Sequence, residues 1–408
     1  MARKKPRIGL ALAGGGPFGA VYEIGALIAL EESLDGLDLN GLDCYVGVSA
    51  GSFLAAALAN GISVEEVYRL FIEGAAGPRE TSPGALAPEL FMRPAFREYL
   101  QRARTVPPLL ARSAWRYLRR PLAGSTLEAF AALGRAIPTG VFDNQAIHDY
   151  LETVFTQPGR TNDFRRLRRR LYLVATDLDT GAAVSFGRTG HDRVPISKAV
   201  QASAALPGLF PPVEIDGHWF VDGALKKTLH ASEALDDGMG LVLCVNPIVP
   251  FDARLAARRG RGPQANLVEG GLPVVLSQTF RAVIHSRMAA GIAKYRTQYR
   301  DSDVVLFQPE ADDGEIFLTN IFGYANRRRV CEHAYERTRR DLVARAAELE
   351  PLLARHGIRY RHDVLAESHR RLDLGPRRPR LGRGALPQAA GGLHDTLQDL
   401  RRWMARAA

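Results

Sequence analysis

Gly47-Val48-Ser49-Ala50-Gly51 sets a hydroxyl among small residues, between an apolar run, Leu42 to Val48, and a small-residue helical run, Phe53 to Leu58. That layout matches a nucleophile elbow, a sharp strand-to-helix turn that presents a serine for attack on an acyl carbon. Gly47 and Gly51 suit it because a Cβ beside the serine would crowd the neighbouring strand, and strained backbone angles cost least at glycine. The expectation is that Ser49 stands exposed at the amino end of the helix. Five residues of which three are small also match this pattern by accident, so the elements around it decide its meaning.

Upstream, Arg7 to Ala13 reads as a short buried strand that runs into Gly14-Gly15-Gly16-Pro17-Phe18-Gly19 and then a helix through Leu30. An acyl-transfer enzyme needs backbone N–H donors where the tetrahedral intermediate develops its oxyanion, and a glycine loop at a helix start supplies them. Gly14, Gly15, Gly16 and Gly19 are assigned to that oxyanion hole, with Gly15 and Gly16 as donors and Gly14 shaping the turn. The same residues fit G-x-G-x-x-G, the dinucleotide fingerprint. That rival asks for an acidic residue at the end of the next strand, where this chain has Gly47 to Gly51.

Downstream lies Ala202-Ser203-Ala204-Ala205-Leu206-Pro207-Gly208-Leu209-Phe210-Pro211-Pro212-Val213, then Gly217-His218-Trp219-Phe220-Val221-Asp222-Gly223-Ala224. A glycine-rich oxyanion loop, a G-x-S-x-G elbow and a late Asp-Gly-Ala, in that order, resemble the patatin-like phospholipases. Val174 to Leu178 with Thr180-Gly181, and Val141 to Asn144, resemble further segments of that family. The resemblance covers roughly residues 8 to 230. It implies a Ser-Asp dyad in which Ser49 attacks an ester carbonyl and Asp222 takes the hydroxyl proton, with Gly223 and Ala224 completing the Asp-Gly-Ala turn. It also implies a three-layer α/β/α fold around a central, mainly parallel sheet. An aspartate is a weak base at its ordinary pKa, so a working Asp222 must be partly desolvated and within hydrogen-bond reach of Ser49. Val221 and Phe220 would supply dry walls.

A Ser-His-Asp triad is the competing mechanism, because His230 follows Asp222 in the order that α/β-hydrolases use. Asp177, at the end of a buried strand before Thr180-Gly181, reads as a turn former rather than the triad acid. Two departures from the family pattern bear on substrate. Phe18 stands where relatives often carry a basic residue, and Lys226 and Lys227 follow the Asp-Gly turn where asparagine is usual. Phospholipid and other acyl-ester lipids both remain open as substrates, and the two lysines read first as a solvated face.

A chain of 408 residues with 46% hydrophobic content can bury a large core, and no apolar stretch reaches membrane-spanning length. The charged start through Arg7 reads as a lead-in to the first strand. Cys44, Cys244 and Cys331 are odd in number and widely spaced, which argues against a disulfide framework or a metal site and points to a reducing, cytoplasmic setting. No cofactor is called for. Residues 8–235 are expected to form the catalytic core, with a basic helical insertion at about 77–140. Residues 236–374 are expected to complete that core and extend it with helices, including one long helix from Val275 to Tyr299 and another from Asn326 to Arg355. Residues 375–408 read as a Pro/Gly/Arg linker ending in a short amphipathic helix.

The net charge of +10 gathers partly in the insertion, where Arg112, Arg116, Arg119 and Arg120 lie among Leu109, Leu110, Trp115 and Leu118. Such a segment suits peripheral contact with an anionic membrane, or equally a helical cap with solvated arginines. Nucleic-acid binding has no fold motif behind it. The reading of another class is a lipid- or membrane-binding protein of the same fold without turnover.

Overall fold

In the computed structural model, the described residues are 6–74, 93–95, 99, 138–260, 266–318, 326–367 and 369–372. Most of the insertion expected at 77–140, and the linker and tail from residue 375, lie outside them. The chain divides into a compact unit, Met1–Arg370, and a second unit, Arg371–Ala408.

Five strands form a parallel ribbon: β1 (Ile8–Leu12), β3 (Cys44–Val48), β4 (Arg170–Asp177), β8 (Leu241–Val245) and β9 (Asp303–Phe307). Four of them are short and rich in Val, Leu and Ile, and β1, β3 and β8 are buried almost throughout. Continuous apolar runs of this kind belong to a sheet covered on both faces. A short strand, β2 (Leu34–Asp35), lies apart and pairs with β10 (Arg359–Tyr360). Three antiparallel strands complete the main sheet: β5 (Ala183–Phe186), β6 (Val213–Ile215) and β7 (His218–Asp222). The hydrogen-bonded order is β6-β7-β4-β3-β1-β8-β9, with β5 also on β4.

The register on β4 matters most for function. Leu173 and Val174 pair with Gly47 and Val48 of β3 and also with β5, so β3 and β5 occupy opposite edges of β4. Ala175 and Thr176 pair with Asp222 and Val221 of β7 and again with β5, which puts β7 on the edge that β3 occupies. Strands β3 and β7 therefore meet end to end along one edge, with Val48 opposite Val174 and Asp222 opposite Ala175.

Alternating side chains supply the two cores. Ala11, Ala13, Cys44, Val46, Val48 and Val174 point into one buried cluster with Leu229, Leu235, Met288 and Tyr295, under the helices Ser232–Asp236 and Gly271–Gln298. The other face packs on α2 (Ala50–Ala59) and the Ile196–Ser203 helix, and α1 (Gly16–Ser33) packs beside α2. Behind α1 lies the Arg327–Ala344 helix, so close that a Cβ on Gly25 would stand 2.2 Å from the Cys331 carbonyl oxygen.

Two local expectations are corrected. The stretch from Asn326 to Arg355 is two helices, Arg327–Ala344 and Ala346–Arg355, broken at Arg345, whose guanidinium turns back onto Asp341 and the Leu306 carbonyl. Arg339 of the first of these helices is buried and donates to the carbonyls of Val364 and Glu367. Lys227 is likewise engaged, with its ammonium 3.0 Å from the Ser232 hydroxyl and over the Tyr295 ring. The three cysteines are buried and free, and no described helix is long and apolar enough to cross a membrane.

Candidate active site

Ser49 is the N-cap of α2 and links β3 to that helix in a single residue. Its φ is 52° and ψ −122°, a region that L side chains rarely enter and that marks a strained, over-determined turn. The glycines on either side explain how the turn closes. A Cβ on Gly47 would lie 2.6 Å from the Ser52 Cα, and one on Gly51 would lie 2.6 Å from the Ala13 carbonyl oxygen. Both glycines thus permit α2 to start directly against β1 and β3. Ser49 is only 6% exposed, not the exposed serine that the sequence suggested, because the ends of β1, β3 and β7 surround it.

The Ser49 hydroxyl donates to Asp222 Oδ2 at 2.5 Å, between residues 173 apart in sequence. The other carboxylate oxygen, Oδ1, accepts the Ala224 N–H at 2.8 Å across the Asp222-Gly223-Ala224 turn. Gly223 makes that turn possible, since a Cβ there would meet the Val174 carbonyl oxygen at 2.2 Å. Asp222 is 2% exposed. Burial pushes its carboxyl up to about 6, while the hydrogen bonds from Ser49 and Ala224 pull the other way. A carboxylate so placed is a competent proton acceptor near neutral pH.

The glycine loop lies next to the hydroxyl. A Cβ on Gly14 would stand 3.1 Å from the Ser49 Cβ, so the absence of a side chain there leaves room beside the nucleophile position. Gly16 has φ +62°, which turns the chain into α1. Gly15 and Gly19 both abut Pro247, and the Gly19 N–H returns to the Gly15 carbonyl. Among the described residues no group accepts the N–H of Gly14, Gly15 or Gly16. Those donors sit at the amino end of an 18-residue helix, where the helix dipole favours negative charge.

His230, the triad alternative, is buried, and the bonds to the Asp222 carboxylate come from Ser49 and Ala224 instead. Burial and the Lys227 charge push its imidazole down to about 3, and its Nε2 has no partner among the described residues. Asp177 accepts the N–H groups of Asp179 and Thr180, the turn-forming role expected of it. No described group of three or more His, Cys, Asp or Glu side chains is placed to hold a metal ion.

The sequence reading missed the residues behind the pair. Ser203 appeared only as part of a Pro-rich approach, yet its hydroxyl oxygen accepts the Ser49 N–H at 2.8 Å. The Ala205 carbonyl accepts the Asp222 N–H at 3.0 Å, and the Thr176 hydroxyl donates to the Asp222 carbonyl at 3.1 Å. Only the small size of Ser203 in an apolar helix end hinted at such a contact.

A family model described as patatin-like phospholipase matches residues 10–235. Uncharacterized NTE family proteins of Mycobacterium tuberculosis and Mycobacterium bovis are 38% identical over 80 residues, 20% of this chain and 13% of theirs. The match thus spans only a small part of those curated relatives. Among solved structures, VipD from Legionella pneumophila is 16% identical, covering 81% of this chain and 67% of its own, at a TM-score of 0.34. Full-length ExoU of Pseudomonas aeruginosa, in complex with SpcU, is 17% identical over 72% of this chain and 53% of its own, at 0.28. Human GIVD cytosolic phospholipase A2 is 16% identical over 64% and 44%, at 0.26. With its family model spanning more than half of the sequence and every motif of the site inside the match, the chain belongs to the patatin-like phospholipase family.

Proposed function

We propose that the protein is a serine lipid acyl hydrolase working through a Ser49-Asp222 dyad. The observation that carries this reading is the Ser49 Oγ to Asp222 Oδ2 hydrogen bond in a desolvated corner of the sheet. Asp222 takes the Ser49 proton as Oγ adds to the ester carbonyl carbon. The N–H groups of Gly15 and Gly16 hold the resulting oxyanion, with Gly14 shaping the turn and Gly19 fixing the loop at the helix start. Collapse of the intermediate breaks the bond to the alkoxy leaving group, which takes the proton from Asp222 and leaves an acyl-Ser49. Water then gives a proton to Asp222, attacks the acyl carbon and releases the fatty acid, returning the proton to Ser49. No metal or cofactor enters these steps.

Family membership supports a phospholipid or related acyl-ester lipid as substrate, met by peripheral contact with a membrane from the cytoplasmic side. Residues 8–235 carry the catalytic machinery in this reading, while β8 and β9 complete the sheet beyond them. The test is hydrolysis of a short-chain nitrophenyl ester and a mixed phospholipid panel, together with labelling by a fluorophosphonate probe. Turnover and a label on Ser49, both lost in Ser49→Ala, support the reading. An unlabelled, inactive wild type returns the protein to the class of lipid binders.

A further inference from the structure

The nucleophile is held in a strained conformation, and something must over-determine it. The first N–H groups of a helix lack carbonyl partners four residues back. Ser49, at the start of α2, has its N–H taken by Ser203 Oγ at 2.8 Å, and the Ser203 hydroxyl donates in turn to the Val174 carbonyl at 2.6 Å. Ser203 has 0% exposure, so both bonds are shielded from competing water. Val174 is the β4 residue opposite Val48, and its carbonyl oxygen lies against Gly223. Two residues on, the Ala205 carbonyl accepts the Asp222 N–H. The end of the Ile196–Ser203 helix therefore grips the backbones of both members of the pair, one through a hydroxyl and the other through a carbonyl.

We propose that Ser203 is a positioning residue: its hydroxyl fixes the Ser49 peptide in its positive-φ turn and ties that turn to β4, the strand against which Asp222 of β7 pairs. This rests on the hydrolase reading for its kinetic consequence, although the hydrogen-bonded clamp exists independently of turnover. It also has a consequence for the oxyanion. Because Ser203 occupies the Ser49 N–H, that donor is withdrawn from the acyl oxygen.

The experiment compares wild type with Ser203→Ala, Ser203→Cys and Ser203→Thr, with Ser49→Ala as the inactive control. Ser203→Cys fills nearly the same space with a poor acceptor, and Ser203→Thr keeps the hydroxyl. Three readouts are taken: nitrophenyl ester kinetics, hydrogen exchange of the 48–52 backbone amides, and Tm. The expected result is a kcat lowered about tenfold or more in the Cys variant at little changed KM and Tm, with faster exchange at 48–52 and partial recovery of kcat in the Thr variant. If the Ala variant fails to fold, the Cys variant decides. A Cys variant with wild-type kcat, or with unaltered exchange at 48–52, overturns the proposal. An inactive wild type defeats the hydrolase reading instead, and the exchange measurement alone then decides the clamp.

Discussion

Ser49 and Asp222, 173 residues apart in the chain, are joined by a 2.5 Å hydrogen bond because β3 and β7 end against consecutive residues of β4. Val48 pairs with Val174 and Asp222 with Ala175, so the residue just after one strand meets the last residue of the other. Two strand ends meeting on one edge position a hydroxyl and a carboxylate without any loop having to bring them together.

The most direct consequence concerns which side chains carry turnover. Ser49→Ala and Asp222→Asn are each expected to lower kcat on a nitrophenyl ester by about a thousandfold or more, in line with the loss of a nucleophile or its proton acceptor. His230→Gln is expected to stay within about fivefold of wild type, since the carboxylate's bonds come from Ser49 and Ala224. An Asp222→Asn variant that keeps its rate would remove Asp222 from the mechanism.

The pH dependence follows from the buried carboxyl. Asp222 must be ionised to accept the Ser49 proton, and burial raises its pKa to about 6. The profile of kcat/KM should therefore climb as pH rises through about 6 and level off above it. A profile already flat from pH 4.5 upward would show that the base titrates lower.

Stability should move in the opposite direction. The folded pKa of about 6 lies above the ordinary 3.8. Between those values the folded state holds a proton that the unfolded chain releases. The contribution of this carboxyl to stability is thus fully present below about pH 4 and is lost as pH rises through 6, by on the order of 3 kcal/mol. Asp222→Asn removes the buried charge and should raise Tm at pH 8 while abolishing turnover. A lowered Tm at pH 8 would mean that the ionised carboxylate is better solvated than its burial implies.

Glycines around the site should separate chemistry from folding. Gly14→Ala sets a methyl about 3 Å from the Ser49 and Ala224 side chains, close enough to displace the hydroxyl by a few tenths of an ångström. It is expected to cut kcat about tenfold to a hundredfold with a modest change in Tm. Gly51→Ala meets unyielding backbone at 2.6 Å and should destabilise by about 3 kcal/mol or more. Urea denaturation beside ester kinetics distinguishes the two.

A control lies away from the site. Gly25→Ala drives a methyl to 2.2 Å from the Cys331 carbonyl oxygen and should push α1 and the Arg327–Ala344 helix apart, costing about 1–3 kcal/mol. The fluorophosphonate labelling rate of Ser49, measured well below the lowered Tm, should be little altered. A slower rate would show that the seating of α1 reaches the glycine loop.

The residues of the candidate site were legible because each demands an unusual local backbone. Gly47 to Gly51 marks a strand-to-helix turn, Gly14 to Gly19 a helix start, and Asp222-Gly223-Ala224 a tight corner, and short-range geometry alone limits which residues fit there. Strands β1 and β3 were equally plain as apolar runs. Registers between strands were not, since nothing local to Val48 or Asp222 records that Val174 and Ala175 lie opposite them. The burial of Ser49, the raised pKa of Asp222 and the grip of Ser203 all follow from those long-range pairings. Each depends on the distance and dielectric between groups far apart in the chain, quantities that only the folded sheet sets.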